Sequence, residues 1–309
     1  MHHPFLVFSS PCYQYLRDEI CLNGSYEKGM VTFKRFSDGE HYYRIGSNVS
    51  GRDVVVIGST LPGNHFLEFY DLASGLVQYG ARSLTLILPY YSYSTMERAT
   101  HFGDVVTAKT RARLLSSLPQ ASLCNKIVMI DLHNEGIPHY FEGTLRPIHI
   151  NARKLILEVA RSWGGQDFVL ASTDAGRAKW VESLASELGV DPAFLLKKRL
   201  GDKKTKVVAP ASPITNKPVI IYDDMIRSGS SLIEAAKAYS DAGASSIYAL
   251  TTHGIFSSDA ILKLQKSSLF KKIMTTNTVP GTQKIDNKMI EVRSISPIIV
   301  EYLRKQEGF

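Results

Sequence analysis

Cysteine is scarce in this chain. Three, Cys12, Cys21 and Cys124, occur among 309 residues, and no two are spaced as Cys-x-x-Cys. So sparse and odd a count argues against a disulfide framework or a structural zinc site and fits a reducing compartment; all three are expected to be structural. Long apolar runs are missing too, since none approaches the ~20 residues that a membrane span needs. The start, Met1-His2-His3-Pro4, has neither the basic nor the apolar segment of a signal peptide. Its two histidines read as a frayed end rather than a metal site. There is no low-complexity tract and no tandem repeat. A soluble, cytoplasmic protein with no membrane partner is expected.

What is present is an ordinary apolar content of 44% and an excess of positive charge, 36 basic against 29 acidic residues, for a net +7. The length fits two domains of about 150 residues each, with enough apolar material for two cores. Positive potential suits either a nucleic acid or phosphorylated metabolites. The densest basic run holds Lys197, Lys198, Arg199, Lys203, Lys204 and Lys206 and contains no aromatic residue. It therefore lacks the stacking platform that single strands require, and no nucleic-acid partner is expected.

Short, nearly continuous β-branched runs recur at 54–58, 84–88, 127–131, 168–172, 218–222 and 247–251. Each has the character of a strand buried on both faces. Helical spacing lies between them: Phe66, Phe69, Tyr70, Ala73, Leu76 and Val77; Leu155, Val159 and Trp163; Trp180, Leu184 and Leu188. This alternation predicts an α/β fold of parallel sheets covered by helices. The boundary is expected near Arg146, Pro147 and Ile148, with a helix capped by Asn151 just after it.

In open α/β sheets, ligands bind beyond the carboxyl ends of the strands. The strongest candidate there follows the run at 218–222. Two carboxylates, Asp223 and Asp224, precede Arg227 and a small-residue loop, Ser228, Gly229, Ser230 and Ser231, and a helix is expected from Leu232 to Tyr239. Small residues let backbone N–H groups close around a phosphate, the helix start adds positive potential, and the acids can accept from sugar hydroxyls. A plain strand–turn–helix is the competing reading. Adjacent carboxylates at a strand end repel unless something binds them, which favours the functional one.

From these residues the chain becomes recognisable. Asp223, Asp224 and the Ser/Gly loop resemble the phosphoribosyl diphosphate signature of type I phosphoribosyltransferases and ribose-phosphate diphosphokinases. Further segments resemble the second family in order and spacing: Arg35 to Glu40, Leu88 to Tyr93, Asp131 to His133, Ser172 to Asp174, Lys197 to Arg199 and Thr252 to Gly254. The resemblance runs from about Phe8 to about Leu303. It implies two type I phosphoribosyltransferase-like domains, each a mainly parallel sheet flanked by helices. Residues 1–148 would form a nucleotide-binding and assembly domain, and 149–309 a ribose-phosphate-binding domain whose last helix, about 296–306, packs back on the first.

The implied reaction moves the diphosphoryl group of ATP to the C1 hydroxyl of ribose 5-phosphate with Mg²⁺, in a homo-oligomer that shares its nucleotide site between subunits. The resemblance gives His133 and Asp174 to the metal or its water shell. By its own chemistry His133 reads as a hydrogen-bonding core residue, because Mg²⁺ prefers oxygen. Lys197 and Arg199 match a catalytic loop in which cations meet charge developing on the transferred group. Phe36, Asp38 and Glu40 match nucleotide-base contacts; from the residues alone, Phe36 could be core and Asp38-Gly39 merely a turn.

The pattern breaks after Tyr93. Thr95 and Met96 stand where the family carries an Arg-Gln pair at the nucleotide, and Arg98 is the nearest substitute. Arg227 and Ser230 also depart from the family's phosphate loop. Two alternatives to the diphosphokinase therefore stay open: a non-catalytic regulatory paralogue, and a diphosphokinase with an altered donor or a larger 5-phosphoribosyl acceptor.

Overall fold

A computed structural model describes residues 4–199, 205–210, 214–257 and 259–307, with side chains for all of these except 196–199 and 205–210. The chain forms two compact units, one of residues 1–151 and 295–309, the other of 152–294.

In the first unit the elements run β1 (Leu6–Ser9), α1 (Gln14–Gly24), β2 (Glu27–Lys28), β3 (Val31–Arg35), β4 (His41–Ile45), β5 (Asp53–Ile57), α2 (His65–Gln78), β6 (Ser83–Leu88), α3 (Thr107–Ser116), β7 (Cys124–Ile130) and β8 (Arg146–Ile150). Six of the strands make a sheet in the order β2-β1-β5-β6-β7-β8, parallel throughout. The central strands are apolar on both faces because helices cover both. Leu6, Phe8, Val54, Val56, Leu84, Leu86, Ile127 and Met129 pack against Phe66, Phe69, Leu72 and Leu76 of α2 and Leu115 of α3. Burying each such side chain contributes roughly 1.5–3 kcal/mol. β3 and β4 form a separate antiparallel hairpin.

The second unit holds α4 (Arg153–Gly164), β9 (Val169–Ser172), α5 (Ala178–Leu188), β10 (Asp191–Ala193), β11 (Leu195–Arg199), β12 (Thr205–Pro210), β13 (Pro218–Ile226), α6 (Ser230–Asp241), β14 (Ser246–Gly254), α7 (Ala260–Ser267), β15 (Phe270–Thr276) and β16 (Ile290–Arg293). Its parallel sheet has the order β10-β9-β13-β14-β15-β16. Both sheets therefore share one topology: the second strand lies on one side of the first, and every later strand on the other. β11 and β12 pair as a short antiparallel hairpin. The last helix, α8 (Ser296–Gln306), belongs to the first unit, where it packs on α1. No described helix is long and apolar enough to cross a membrane.

Residues 146–148, near which the boundary is expected, are the start of β8; Pro147 is tolerated because β8 is an edge strand. Two local readings need correction. The N-cap position of α4 is Ala152 rather than Asn151. β13 does not end at Tyr222. Its ladder with β14 continues to the pairs Asp223–Thr251, Met225–His253 and Ile226–Gly254, so both acids lie within a strand.

Candidate active site

A sheet whose strand order reverses leaves a crevice at the carboxyl ends of the two strands flanking the reversal. In the second unit those strands are β9 and β13. The candidate acceptor residues meet there. Thr173, just after β9, donates its hydroxyl to Asp223 Oδ2 at 2.9 Å. Asp174 caps the short turn Ala175–Arg177, its Oδ1 accepting from Gly176 N at 2.8 Å. That turn delivers Arg177 to Asp224, with Nη2 2.8 Å from Oδ1 and the Asp224 side chain only 2% exposed.

The two acids thus have different partners. Burial, and then repulsion from Asp224, push the Asp223 carboxyl up to about 7. Thr251, opposite Asp223 in the β14 register, has a buried hydroxyl with no hydrogen-bond partner among the described residues.

The loop after β13 is built as its residues require. Gly229 sits at φ 77 as the N-cap of α6, and a Cβ there would come within 3.1 Å of the Leu264 side chain. Only glycine satisfies both conditions. Ser228 Oγ accepts from Ser230 N at 3.4 Å. α6 begins at Ser230 rather than at Leu232, so Ser230 and Ser231 form its first turn and both are exposed. The Arg227 carbonyl accepts from Ser257 N at 2.9 Å, which braces the loop on the segment after β14. The backbone of Lys197 pairs with Val207 and that of Arg199 with Thr205. The side chains of Lys197 and Arg199 lie outside the described residues.

In the first unit the candidate donor residues fall in two groups. Phe36, Asp38 and Glu40 form the tip of the β3–β4 hairpin. Gly39 there has φ 96, and Asp38 Oδ1 accepts from Glu40 N at 3.0 Å. Phe36 is 42% exposed, with Lys34 Nζ 4.9 Å from its ring centroid, so it is not core.

Arg98 and His133 follow β6 and β7. Glu97 ties their loops together: its Oε1 accepts from Asn134 Nδ2 at 3.3 Å, and its carbonyl accepts from Tyr140 OH at 2.5 Å. Arg98 is mostly exposed and lies 3.6 Å from Glu97. The backbone after β7 is held by His149, whose Nε2 accepts from Leu132 N at 3.0 Å. Among the described residues no hydrogen bond, ion pair or ring contact joins the hairpin tip to Arg98.

Two family models cover the chain: the N-terminal domain of ribose phosphate pyrophosphokinase over residues 5–118, and the phosphoribosyl synthetase-associated domain over 152–307. The chain belongs to the ribose-phosphate pyrophosphokinase family. It is 31% identical to the ribose-phosphate pyrophosphokinase of Fusobacterium nucleatum, covering 94% of this chain and 92% of that one. It is 29% identical to that of Synechococcus elongatus, over 97% and 90% of the two chains. Among solved structures it matches the phosphoribosylpyrophosphate synthetase from Mycobacterium smegmatis with a TM-score of 0.88 at 26% identity, over 99% of both chains.

Around these candidate residues the sequence reading did not single out Arg177, Glu97 or Asn134, and it held Thr173 only as part of the segment Ser172 to Asp174. Arg177 lies three residues after Asp174, yet nothing in the linear pattern says that a tight turn aims it at Asp224. A cavity of about 430 Å³ under the hairpin, lined by Arg35, His41, Tyr43, His65 and Glu68, was also invisible. Burial pushes the Tyr43 hydroxyl there up to about 12. The motif Thr252 to Gly254 proves internal: His253 is buried, and its Nδ1 lies 2.9 Å from Thr278 Oγ1.

Proposed function

We propose that this chain transfers the diphosphoryl group of ATP to the C1 hydroxyl of ribose 5-phosphate, giving phosphoribosyl diphosphate and AMP. The observation that carries the reading is the crevice of the second unit, where Asp223 and Asp224 stand beside the Ser228–Ser231 loop at the head of α6. The 5-phosphate takes the N–H groups and hydroxyls of that loop, with Arg227 adding charge. The acids accept from the ribose hydroxyls. The nucleotide takes Phe36, Asp38, Glu40 and Arg98 of the first unit: the exposed ring offers a stacking face and the two acids accept from the base or its ribose. Lys197 and Arg199 meet the charge of the diphosphoryl group in flight; such transfer depends mostly on positioning and charge neutralisation.

Mg²⁺ is the cofactor we assign. Asp174 fits it: one carboxylate oxygen is tied in the cap, while Oδ2 has no partner among the described residues. Among the described residues no group of three or more acidic, histidine or cysteine side chains forms a metal cage. Mg²⁺ needs none, since it commonly takes one or two carboxylates plus substrate phosphates and water. His133 suits a bound water better than the ion. When bound, Mg²⁺ supplies charge neutralisation on the triphosphate.

We further infer a homo-oligomer sharing the nucleotide site. The fully exposed Phe102 and the exposed Val105 offer an apolar surface that assembly would cover. The deciding experiment measures AMP release from ATP with and without ribose 5-phosphate. Release dependent on the sugar phosphate is expected; no release with any triphosphate would leave the regulatory paralogue or an acceptor other than ribose 5-phosphate.

Donor tolerance is a second reading that one observation favours. Met96 is 45% exposed and Arg98 is held only loosely by Glu97, so few polar groups read the base. Discrimination comes from polar groups that the wrong ligand leaves unpaired. The ratio of kcat/KM for ATP to that for GTP or CTP should stay below about a hundred-fold, on the order of 3 kcal/mol. A stricter preference would assign base selection to Arg98.

A further inference from the structure

We propose that Arg177 is a positioning residue for ribose 5-phosphate: its guanidinium fixes the Asp224 carboxylate, ionised and oriented, at the acceptor crevice. This rests on the reading of that crevice given above.

Asp224 is nearly sealed from solvent, its side chain 2% exposed, and Arg177 is 20% exposed. A carboxylate so buried stays charged only if a cation and hydrogen bonds replace its water. Arg177 supplies both at 2.8 Å. The contact bridges the two strands at the reversal, because Arg177 ends the turn after β9 and Asp224 belongs to β13. The turn is itself set by Asp174, through the bond to Gly176 N. One local motif thus places the candidate metal residue and the cation of the acceptor site together.

The neighbouring acid is treated differently. Asp223 has a neutral partner in Thr173 at 2.9 Å, and its Oδ1 accepts from Asp224 N at 3.0 Å. Adjacent carboxylates do not both ionise cheaply in a buried site. The cation sits on one of them and so decides which keeps its charge. Asp223 is left as the member whose proton must leave, or be shared, when a sugar hydroxyl arrives. The direction of the Asp223 shift agrees with this division.

An ion pair that only held the fold together would show none of the following behaviour. Steady-state kinetics from pH 6 to 9 on the full chain would compare wild type with Arg177→Gln, Arg177→Lys, Asp224→Asn and the Arg177→Gln/Asp224→Asn double variant. Arg177→Gln should raise KM for ribose 5-phosphate ten-fold or more and leave KM for ATP within two-fold. The acidic limb of kcat/KM for the sugar phosphate should move to higher pH, because removing the cation makes both carboxyls harder to ionise. Arg177→Lys should hold the limb in place with a smaller rise in KM. The double variant should be no worse than Asp224→Asn alone, as expected of residues acting as one unit.

An unchanged KM and limb in Arg177→Gln, with Asp224→Asn damaging, overturns the inference and leaves the crevice reading intact. Losses that are equal for both substrates, or additive in the double variant, overturn it as well. If neither Asp224→Asn nor Asp223→Asn weakens the sugar phosphate, the crevice reading itself is wrong. Should Arg177→Gln fail to fold, direct titration of Arg177→Lys with ribose 5-phosphate decides: several-fold weaker binding is expected, and wild-type binding refutes the proposal.

Discussion

Asp223 and Asp224 are neighbours in sequence with opposite electrostatic circumstances. One faces a hydroxyl and has a raised carboxyl; the other faces a guanidinium. The raised group has a thermodynamic signature. Its folded value of about 7 lies above the ordinary 3.8. The stability tied to its proton is therefore fully present below about pH 4 and lost as pH rises through about 7. Asp223→Asn removes that loss. The variant should melt higher than wild type at pH 8, and the gap should shrink toward pH 5, while its affinity for ribose 5-phosphate falls. For a domain this size each kcal/mol is about 2–4 °C. Melting curves with a gap independent of pH would show that Asp223 does not titrate in this range. Lys197 and Arg199 call for kinetics instead. Lys197→Ala and Arg199→Ala should each lower kcat by about 3–4 kcal/mol of barrier while barely changing KM for ribose 5-phosphate. Turnover within a few-fold of wild type in both would remove them from the chemistry.

At the scale of elements, legibility followed burial. Strands covered on both faces, such as Val54 to Ile57 or Ile127 to Ile130, announce themselves as apolar runs. The β3–β4 hairpin went unread because it has one covered face: Val31 and Phe33 alternate with the exposed Thr32 and Lys34, a pattern of period two rather than a run. β13 was read too short for the converse reason. Its ladder is made of backbone bonds, and these continue past Asp223 and Asp224 whatever the side chains prefer. The phosphate loop was legible as chemistry, from its small residues, but not as geometry. Gly229 shows the difference. Alanine at φ 77 costs about 1–2 kcal/mol for the left-handed backbone. Its methyl would also press on Leu264 at 3.1 Å. Gly229→Ala should therefore lower stability in urea denaturation and raise KM for ribose 5-phosphate. Adding Leu264→Ala should relieve the contact without restoring the backbone cost. Wild-type KM in Gly229→Ala would mean that the loop does not close on the phosphate.

Across the whole molecule, one sheet topology is used twice, and the two copies differ at the strand-order reversal. In the second unit the reversal between β9 and β13 holds the acids and Arg177. In the first, the reversal between β1 and β5 is filled: Tyr13 is fully buried there with its hydroxyl against Ser59, and Ser10 N donates to the Ile57 carbonyl at 2.9 Å. Similar strand order therefore does not give similar sites, and no periodicity in the sequence reports which crevice is open. The chain's path is equally hidden locally. After completing the second unit it returns, and α8 closes the first. Ile299 and Leu303 are fully buried, Asn23 Nδ2 donates to Ser296 Oγ at 2.8 Å, and Lys126 Nζ donates to Gln306 Oε1 at 2.7 Å. A substitution near the carboxyl terminus should thus loosen the amino-terminal half. Leu303→Ala removes a buried side chain at a cost of about 2–5 kcal/mol. Hydrogen exchange should show faster exchange for amides of β1, β5, β6 and β7, with β13 to β15 unchanged, because a local loss of stability is confined to the cooperative unit that contains it. Faster exchange in β13 to β15 with β1 and β5 protected would mean that α8 stabilises the unit it follows in sequence rather than the one it packs in.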